Sequence, residues 1–492
     1  MKFLAAWLLS FTFCIIAEGA ESKPAPSVFR LHLSNEPTSL DPNKQKTSAS
    51  SYVLGNLFRN IYTFDDQKGL QPDLGESCKR NKQKSLICKI KKNLKWSDGS
   101  DITAEDFLRT YKKILDPATG SPRADLLFKI KNAQSIYKGE NKPLGVSIPD
   151  KWTLKFDFES PDPDFEYNLS SFLLAPTKMD LNIVTGPYKL KEWKHGQKLV
   201  LEQNLRYIGA HPARPQVEFL FIEEDTVALQ LYEKNELQFL RRLPTLFIPT
   251  AKTRKDFHWI PVTRLDYIGF GPELKDREDL RKAFTYSLNF AELQKIFSSE
   301  GRPGCVGLPD SFFPKAAPCF DFDLTKVPKL KDSKVYTLMF STLGGEDHKR
   351  ATEWMQDQWQ KNAGLKTHLE VKENKVYLKD LQNNPPPLFR KGVAPDRPTC
   401  LAALETFATW SPENYIQLKD PSYGKILEQL ATATKSADQK RLCLEGTQFL
   451  MSRHLLIPLG AIQFAILVKE DFVGWKLNQM NQLDLSQLHP RP

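Results

Sequence analysis

Apolar and polar positions repeat along this chain with two different periods, and the periods divide it into short strands and longer helices. Residues 28–33 (VFRLHL) put an apolar side chain at every second position, as a strand with one buried face does. Residues 50–62 then place Val53, Leu57, Phe58 and Ile61 on one face, which predicts a helix. Residues 151–158 (KWTLKFDF) alternate again and stop before Pro161 and Pro163. Residues 188–193 and 198–202 flank His195-Gly196 as two strands flank a hairpin turn, and a strand at 217–222 leads to a helix near 226–234. Beyond Asp266 a helix over 280–297 is followed by a Pro- and Gly-crowded stretch at 301–318. A strand at 335–340, a helix at 347–361 and a strand at 366–371 then form a second α/β unit. Pro385 to Pro387 makes a stiff elbow, helices at 425–433 and 439–453 follow, and 454–467 is a last apolar run. Alternation of this kind predicts an α/β architecture in two lobes, with the chain crossing between them near Asp266.

The first residues read differently. Lys2 is followed by an apolar run from Phe3 to Ile16, shorter than the roughly 20 residues a membrane span needs. Ala17 and Gly19 supply the small residues of a cleavage site, so residues 1–19 are expected to be a signal peptide and the mature protein to be exported to the periplasm. Phe13 before Cys14 is too bulky for a lipid-attachment site.

Export bears on the cysteines. Cys78, Cys88, Cys305, Cys319, Cys400 and Cys443 remain after processing, an even number that favours disulfides outside the cytoplasm. The near pairs Cys78–Cys88 and Cys305–Cys319 come first, leaving Cys400–Cys443. No CxxC spacing or Cys/His cluster points to a metal. The formal net charge is +10, but Lys and Arg are spread along the chain. The densest run, 79–95, alternates basic residues with Leu86, Cys88 and Ile90, which describes a strand with a solvated basic face rather than a nucleic-acid site.

Residues 95–107 (KWSDGSDITAEDF) carry the most pattern. Ser97-Asp98-Gly99 is turn chemistry, Thr103 sits where a helix N-cap belongs, and Asp106 stands three positions on as in a capping box. Phe107, Tyr111, Ile114 and Leu115 share a helical face, and Pro117 ends it. A strand, a turn and a capped helix follow, with a structural role.

The same residues resemble the signature of the extracellular solute-binding proteins of oligopeptide, dipeptide and nickel importers. Asp116-Pro117-Ala118-Thr119-Gly120-Ser121-Pro122 and Ile136-Tyr137-Lys138-Gly139 are similar to the oligopeptide branch. Asn35 to Pro42 (NEPTSLDP), Thr185-Gly186-Pro187-Tyr188, Leu280 to Phe284 (LRKAF) and Ile457-Pro458-Leu459 resemble further motifs of that family, in its order. The resemblance implies a two-lobed periplasmic-binding-protein fold with a hinge and an extra subdomain in the first lobe. It divides the chain into lobe I (28–57, 182–263 and 464–492), the subdomain (58–181) and lobe II (264–463). It also implies a monomer without cofactor or metal that captures short peptides between the lobes and delivers them to the permease subunits of an ABC transporter.

By the same resemblance Asp396 pairs with a peptide amino group and Arg390 meets a carboxylate or carbonyl, for which a guanidinium is well shaped. Val393 stands where the family has a cleft tryptophan, Arg123 where it often has a tyrosine, and Ile462 or Gln463 where it has a late aromatic; Lys46 is a further candidate. The stretch between Ala175 and Val184 is shorter than usual. Loss of aromatics weakens the case for ordinary peptides, and Arg123 suits an anionic ligand. The alternatives are the same fold binding a metal chelate, a sugar or an anionic solute, or serving a sensor or chaperone, and a secreted hydrolase. The chain has no GxSxG, HExxH or Walker motif and no complete GxGxxG, its eight histidines are scattered, and no catalytic residue is assigned.

Overall fold

The computed structural model describes residues 28–45, 48–81, 84–208, 215–297 and 301–491; the signal peptide expected at 1–19 and Lys46 lie outside them. Three larger sheets organise the chain. The first has seven strands in the order Phe257–Val262, Ile462–Val468, Phe239–Leu240, Val28–Leu33, Gln216–Phe221, Lys198–Gln203 and Tyr188–Lys194. Val28–Leu33 pairs in parallel with Gln216–Phe221, and Phe29, Leu31 and Leu33 are buried as the alternation requires. Helix Ser48–Leu57 packs beside this sheet through Tyr52, Val53 and Leu57.

The second sheet has five strands in the order Lys366–Lys372, Val335–Ser341, Leu388–Val393, Leu265–Phe270 and Leu456–Pro458. Its first three strands are parallel, Leu265–Phe270 runs against them, and Leu456–Pro458, antiparallel to Leu265–Phe270, runs with the first three again. One face carries helices Glu278–Tyr286, Phe290–Phe297 and Gly345–Ala363, and the other carries Cys400–Glu405, Pro421–Thr432 and Ser436–Ser452. The third sheet is smaller and antiparallel, in the order Gly75–Asn81, Ser85–Ile90, Thr153–Asp157 and Val146–Asp150. Helix Ala104–Leu115 covers it with Phe107, Tyr111, Ile114 and Leu115, all fully buried, and Thr103 N donates to Asp106 Oδ2 at 2.8 Å.

Strand Phe257–Val262 leaves the first sheet, and after residues 263–264 the chain is already in the second. It returns through residues 459–461, between Leu456–Pro458 and Ile462–Val468. The crossings are tight. A Cβ on Gly307 would lie 2.5 Å from the Gly460 carbonyl oxygen, and Gly460 itself has φ +94°. The result is a two-lobed α/β fold.

The six cysteines among the described residues pair as expected: Cys78–Cys88 and Cys305–Cys319 close short loops, and Cys400–Cys443 joins two helices of the second lobe. Several elements differ from their predicted extents. The helix expected over 50–62 ends at Leu57, because other partners take its last polar groups: Gly186 N donates to Leu57 O at 2.8 Å and Arg59 N to Thr185 Oγ1 at 2.8 Å. The helix expected over 280–297 is two helices, broken where Ser287 Oγ bonds Ala283 O and Asn362 Nδ2 takes Ser287 O. The apolar run 454–467 is two strands in different sheets.

Candidate ligand-binding site

Strand Leu388–Val393 alternates its side chains between the two faces of the second sheet. Phe389 and Val393 enter one core, and Leu388 enters the other. Arg390 shares Leu388's face, where a charge needs a partner. It finds Asp266 on the neighbouring strand, with Nη2 3.1 Å from Oδ1 and both side chains no more than 3% exposed. Arg264 Nε donates to Asp266 Oδ2 at 2.8 Å, and Arg390 Nη1 lies 3.0 Å from His348 Nδ1 near the start of helix Gly345–Ala363. Arg264 reaches Asp266 across Gly392, whose Cβ would lie 1.9 Å from Arg264 Nη2. Any side chain at 392 would displace that guanidinium.

Burial works to raise the Asp266 pKa, yet Arg264, Arg390 and His348 hold it below the ordinary carboxylate value. Burial and the Arg390 charge keep His348 well below an ordinary histidine, so it is neutral at pH 7. Two guanidiniums therefore share one carboxylate, leaving a surplus positive charge in a buried cluster. Arg390 Nε has no hydrogen-bond partner among the described residues.

The second group lies where this strand runs into residues 394–399. Asp396 receives both Nη atoms of Arg123, a residue 273 positions earlier in the chain, in a two-pronged ion pair. Arg123 precedes the short helix Ala124–Leu127 and also gives Nε and Nη2 to Asp125, each at 3.0 Å. Arg397 lies 3.4 Å from Asp162 and also pairs with Glu405, while Thr399 Oγ1 donates to Asp164 Oδ2 at 2.6 Å. Lys391 sits over the Tyr415 ring. Burial raises the Glu413 pKa against the Lys391 charge, with Asp396 and Arg123 also acting on it. Glu413 thus lies in electrostatic reach of Lys391 and of the Arg123–Asp396 pair.

The structure joins Asp396 to Arg123 and sets Arg390 among Arg264, Asp266 and His348. Val393, expected in the cleft, is 3% exposed and packs in the second lobe's core. Ile462 opens the strand that pairs with Phe257–Val262, opposite Val262. Asp266 and His348 escape a reading of the sequence because Arg390, the side chain they share, is remote from both along the chain. The conjunction of an acidic residue with the predicted crossing was the one available signal. No group of three or more His, Cys, Asp or Glu side chains among the described residues is arranged to hold a metal ion. Nor is any described helix long and apolar enough to cross a membrane.

A central model of the bacterial extracellular solute-binding proteins, family 5, matches residues 69–415. The chain belongs to this family. Its span includes the signature segment, the crossing at 263–264, Arg390 and Asp396. The chain is 24% identical to the oligopeptide-binding protein OppA of Bacillus subtilis (strain 168), over 90% of its own length and 89% of the relative's. It is 24% identical to the periplasmic murein peptide-binding protein MppA of Escherichia coli (strain K12), over 93% and 91%. Among solved structures it resembles a periplasmic oligopeptide-binding protein of Borrelia burgdorferi with a TM-score of 0.82 and 22% identity, covering 95% of this chain and 100% of that one. That likeness shows the family's fold.

Proposed function

We propose that this chain is an exported binding protein that captures a short peptide between its lobes and delivers it to an ABC importer, without catalysing a reaction. Residues 1–19 would direct export to the periplasm, and 28–57 with 182–263 and 464–492, 58–181, and 264–463 would be its lobe I, subdomain and lobe II. The observation that carries the reading is the surplus positive charge of Arg264 and Arg390 around Asp266. A peptide carboxylate compensates such a charge, and a guanidinium grips a carboxylate with two parallel hydrogen bonds. Asp396, on the segment that continues the Arg390 strand, would receive the peptide's ammonium. Relatives described as oligopeptide- or murein peptide-binding support the substrate class, as does a solved Listeria monocytogenes OppA bound to peptide.

Native mass spectrometry of gently purified protein, followed by calorimetric titration of the recovered ligand, tests this. Short peptides should be found, and Arg390→Gln should weaken their binding by about 10- to 100-fold, the worth of a charged hydrogen bond. Recovery of a metal chelate or a sugar, or steady covalent turnover of a substrate, would overturn it.

A further inference from the structure

Residues 123–125 and 162–164 of the small antiparallel unit meet residues 396–399 of the second lobe in three side-chain contacts, Arg123 with Asp396, Arg397 with Asp162, and Thr399 with Asp164, and Glu405 braces Arg397 from within the second lobe. The first contact differs in kind from the others. Asp162 and Asp164 are buried, whereas the Asp396 side chain is 37% exposed and open to exchange with a ligand. Both its oxygens are nevertheless already engaged by one guanidinium, which Asp125 orients from behind.

A carboxylate held this way is electrically compensated before any ligand arrives. A second cation brought to Asp396 meets the Arg123 charge beside it, and like charges close together oppose one another. The planar, delocalised guanidinium is also a better two-pronged partner for a carboxylate than a compact ammonium.

We propose that Arg123 sets the ligand selectivity of the cleft from within the chain, as the resident counter-cation of Asp396 that an incoming ammonium has to displace. This rests on the reading of Asp396 as the ammonium-facing group. Ligands with a free amine at that end lose binding to the displacement, while ligands with a blocked or neutral end lose nothing. Arg123 is thus a specificity-determining residue, and it also ties the small unit to the second lobe.

The experiment has two readouts on the full mature chain. Trialanine and N-acetyl-trialanine are titrated by calorimetry into the native protein, Arg123→Ala, Arg123→Gln and the double variant Arg123→Ala/Asp396→Asn. Hydrogen exchange by mass spectrometry is followed over residues 394–400 without ligand. Both single variants should raise trialanine affinity by about tenfold or more and change that of the acetylated peptide by less than about threefold. The double variant should abolish the gain, and exchange at 394–400 should rise in every variant. The proposal is overturned if both peptides weaken together, if their affinity ratio stays fixed, or if exchange does not change. If no variant binds either peptide, the peptide reading falls by itself, and with it the selectivity drawn from it. Exchange then decides separately whether Arg123 is the resident partner of Asp396.

Discussion

Arg390 and Asp266 stand diagonally on adjacent antiparallel strands, Asp266 opposite Gly392 and Arg390 opposite Ile268, and their charged ends meet at 3.1 Å almost without exposure. A buried pair of this kind adds little net stability over an apolar pair of the same shape, but losing one member is costly. The third and fourth members of the cluster, Arg264 and His348, raise that cost.

Asp266→Ala leaves the buried Arg390 guanidinium without its carboxylate and beside the half-buried Arg264. The expected loss is about 3–5 kcal/mol of unfolding free energy, read from denaturant titration at pH 7. The neighbouring cations hold the folded pKa of Asp266 below its unfolded value. Its contribution is therefore complete above the ordinary carboxylate range and is lost as pH falls through the folded pKa. Asp266→Ala should accordingly flatten the acid limb of the native stability curve.

His32 is fully buried in the first sheet, where burial and then the charges of Arg241 and Arg242 lower its pKa to about 3. The unfolded chain takes up this proton near pH 6.5 and the folded chain does not. Stability from His32 is whole above that pH and falls as pH drops toward about 3, at up to about 1.4 kcal/mol per pH unit. His32→Gln should lose less stability than the native protein between pH 7.5 and 5, measured by thermal or urea unfolding.

Arg59 ties the small antiparallel unit to the end of the chain, pairing with Asp73 and lying 3.3 Å from Asp484, while Tyr207 Oη donates to Asp73 at 3.1 Å. Arg59→Leu strands two carboxylates. A loss of about 3–5 kcal/mol is expected in urea unfolding, with Asp484 contributing less because it is partly exposed.

Gly186 lets two backbones touch. A Cβ there would lie 2.4 Å from Asn56 O and 2.7 Å from Leu57 C, against main-chain atoms that cannot swing aside. Gly186→Ala should cost about 1–3 kcal/mol as overpacking. The Gly186 N–H bond to Leu57 should weaken with it, visible as faster amide exchange at 186.

The disulfides differ in the length of chain they close. Cys78–Cys88 spans 10 residues and Cys400–Cys443 spans 43. Restriction of the unfolded chain is worth about 2.7 kcal/mol for the shorter loop and about 4 kcal/mol for the longer. Replacing the second pair by alanines should lower the denaturant midpoint more than replacing the first.

The α/β class, the strands near 28–33, 85–90, 153–157, 188–194, 198–203, 216–221, 335–341 and 366–372 and all three disulfides were legible in the chain because each follows from local period, turn residues or cysteine count. Phe257–Val262, Leu265–Phe270 and Leu388–Val393, which frame the site, were not read as strands. The misreadings share a cause. Helix 50–62, helix 280–297 and the run 454–467 are apolar enough to continue, and what stops them is remote: Thr185 and Gly186, Asn362, and a change of sheet at Gly460. Arg390 and Asp396 stood out only through a family resemblance. The Arg123–Asp396 pair, with both partners named beforehand, required the fold to bring them together across 273 positions.

The placement of the cross-links has a mechanical meaning. Every disulfide closes within one sheet unit: Cys78–Cys88 in the small one, and Cys305–Cys319 and Cys400–Cys443 in the second lobe. Across the seam from residues 123–164 to 396–399, the connections named above are ion pairs and one hydroxyl bond, which part and re-form without chemistry. The molecule is riveted inside its plates and only buttoned along this edge. A reducing environment would therefore soften the plates while leaving the buttons fastened.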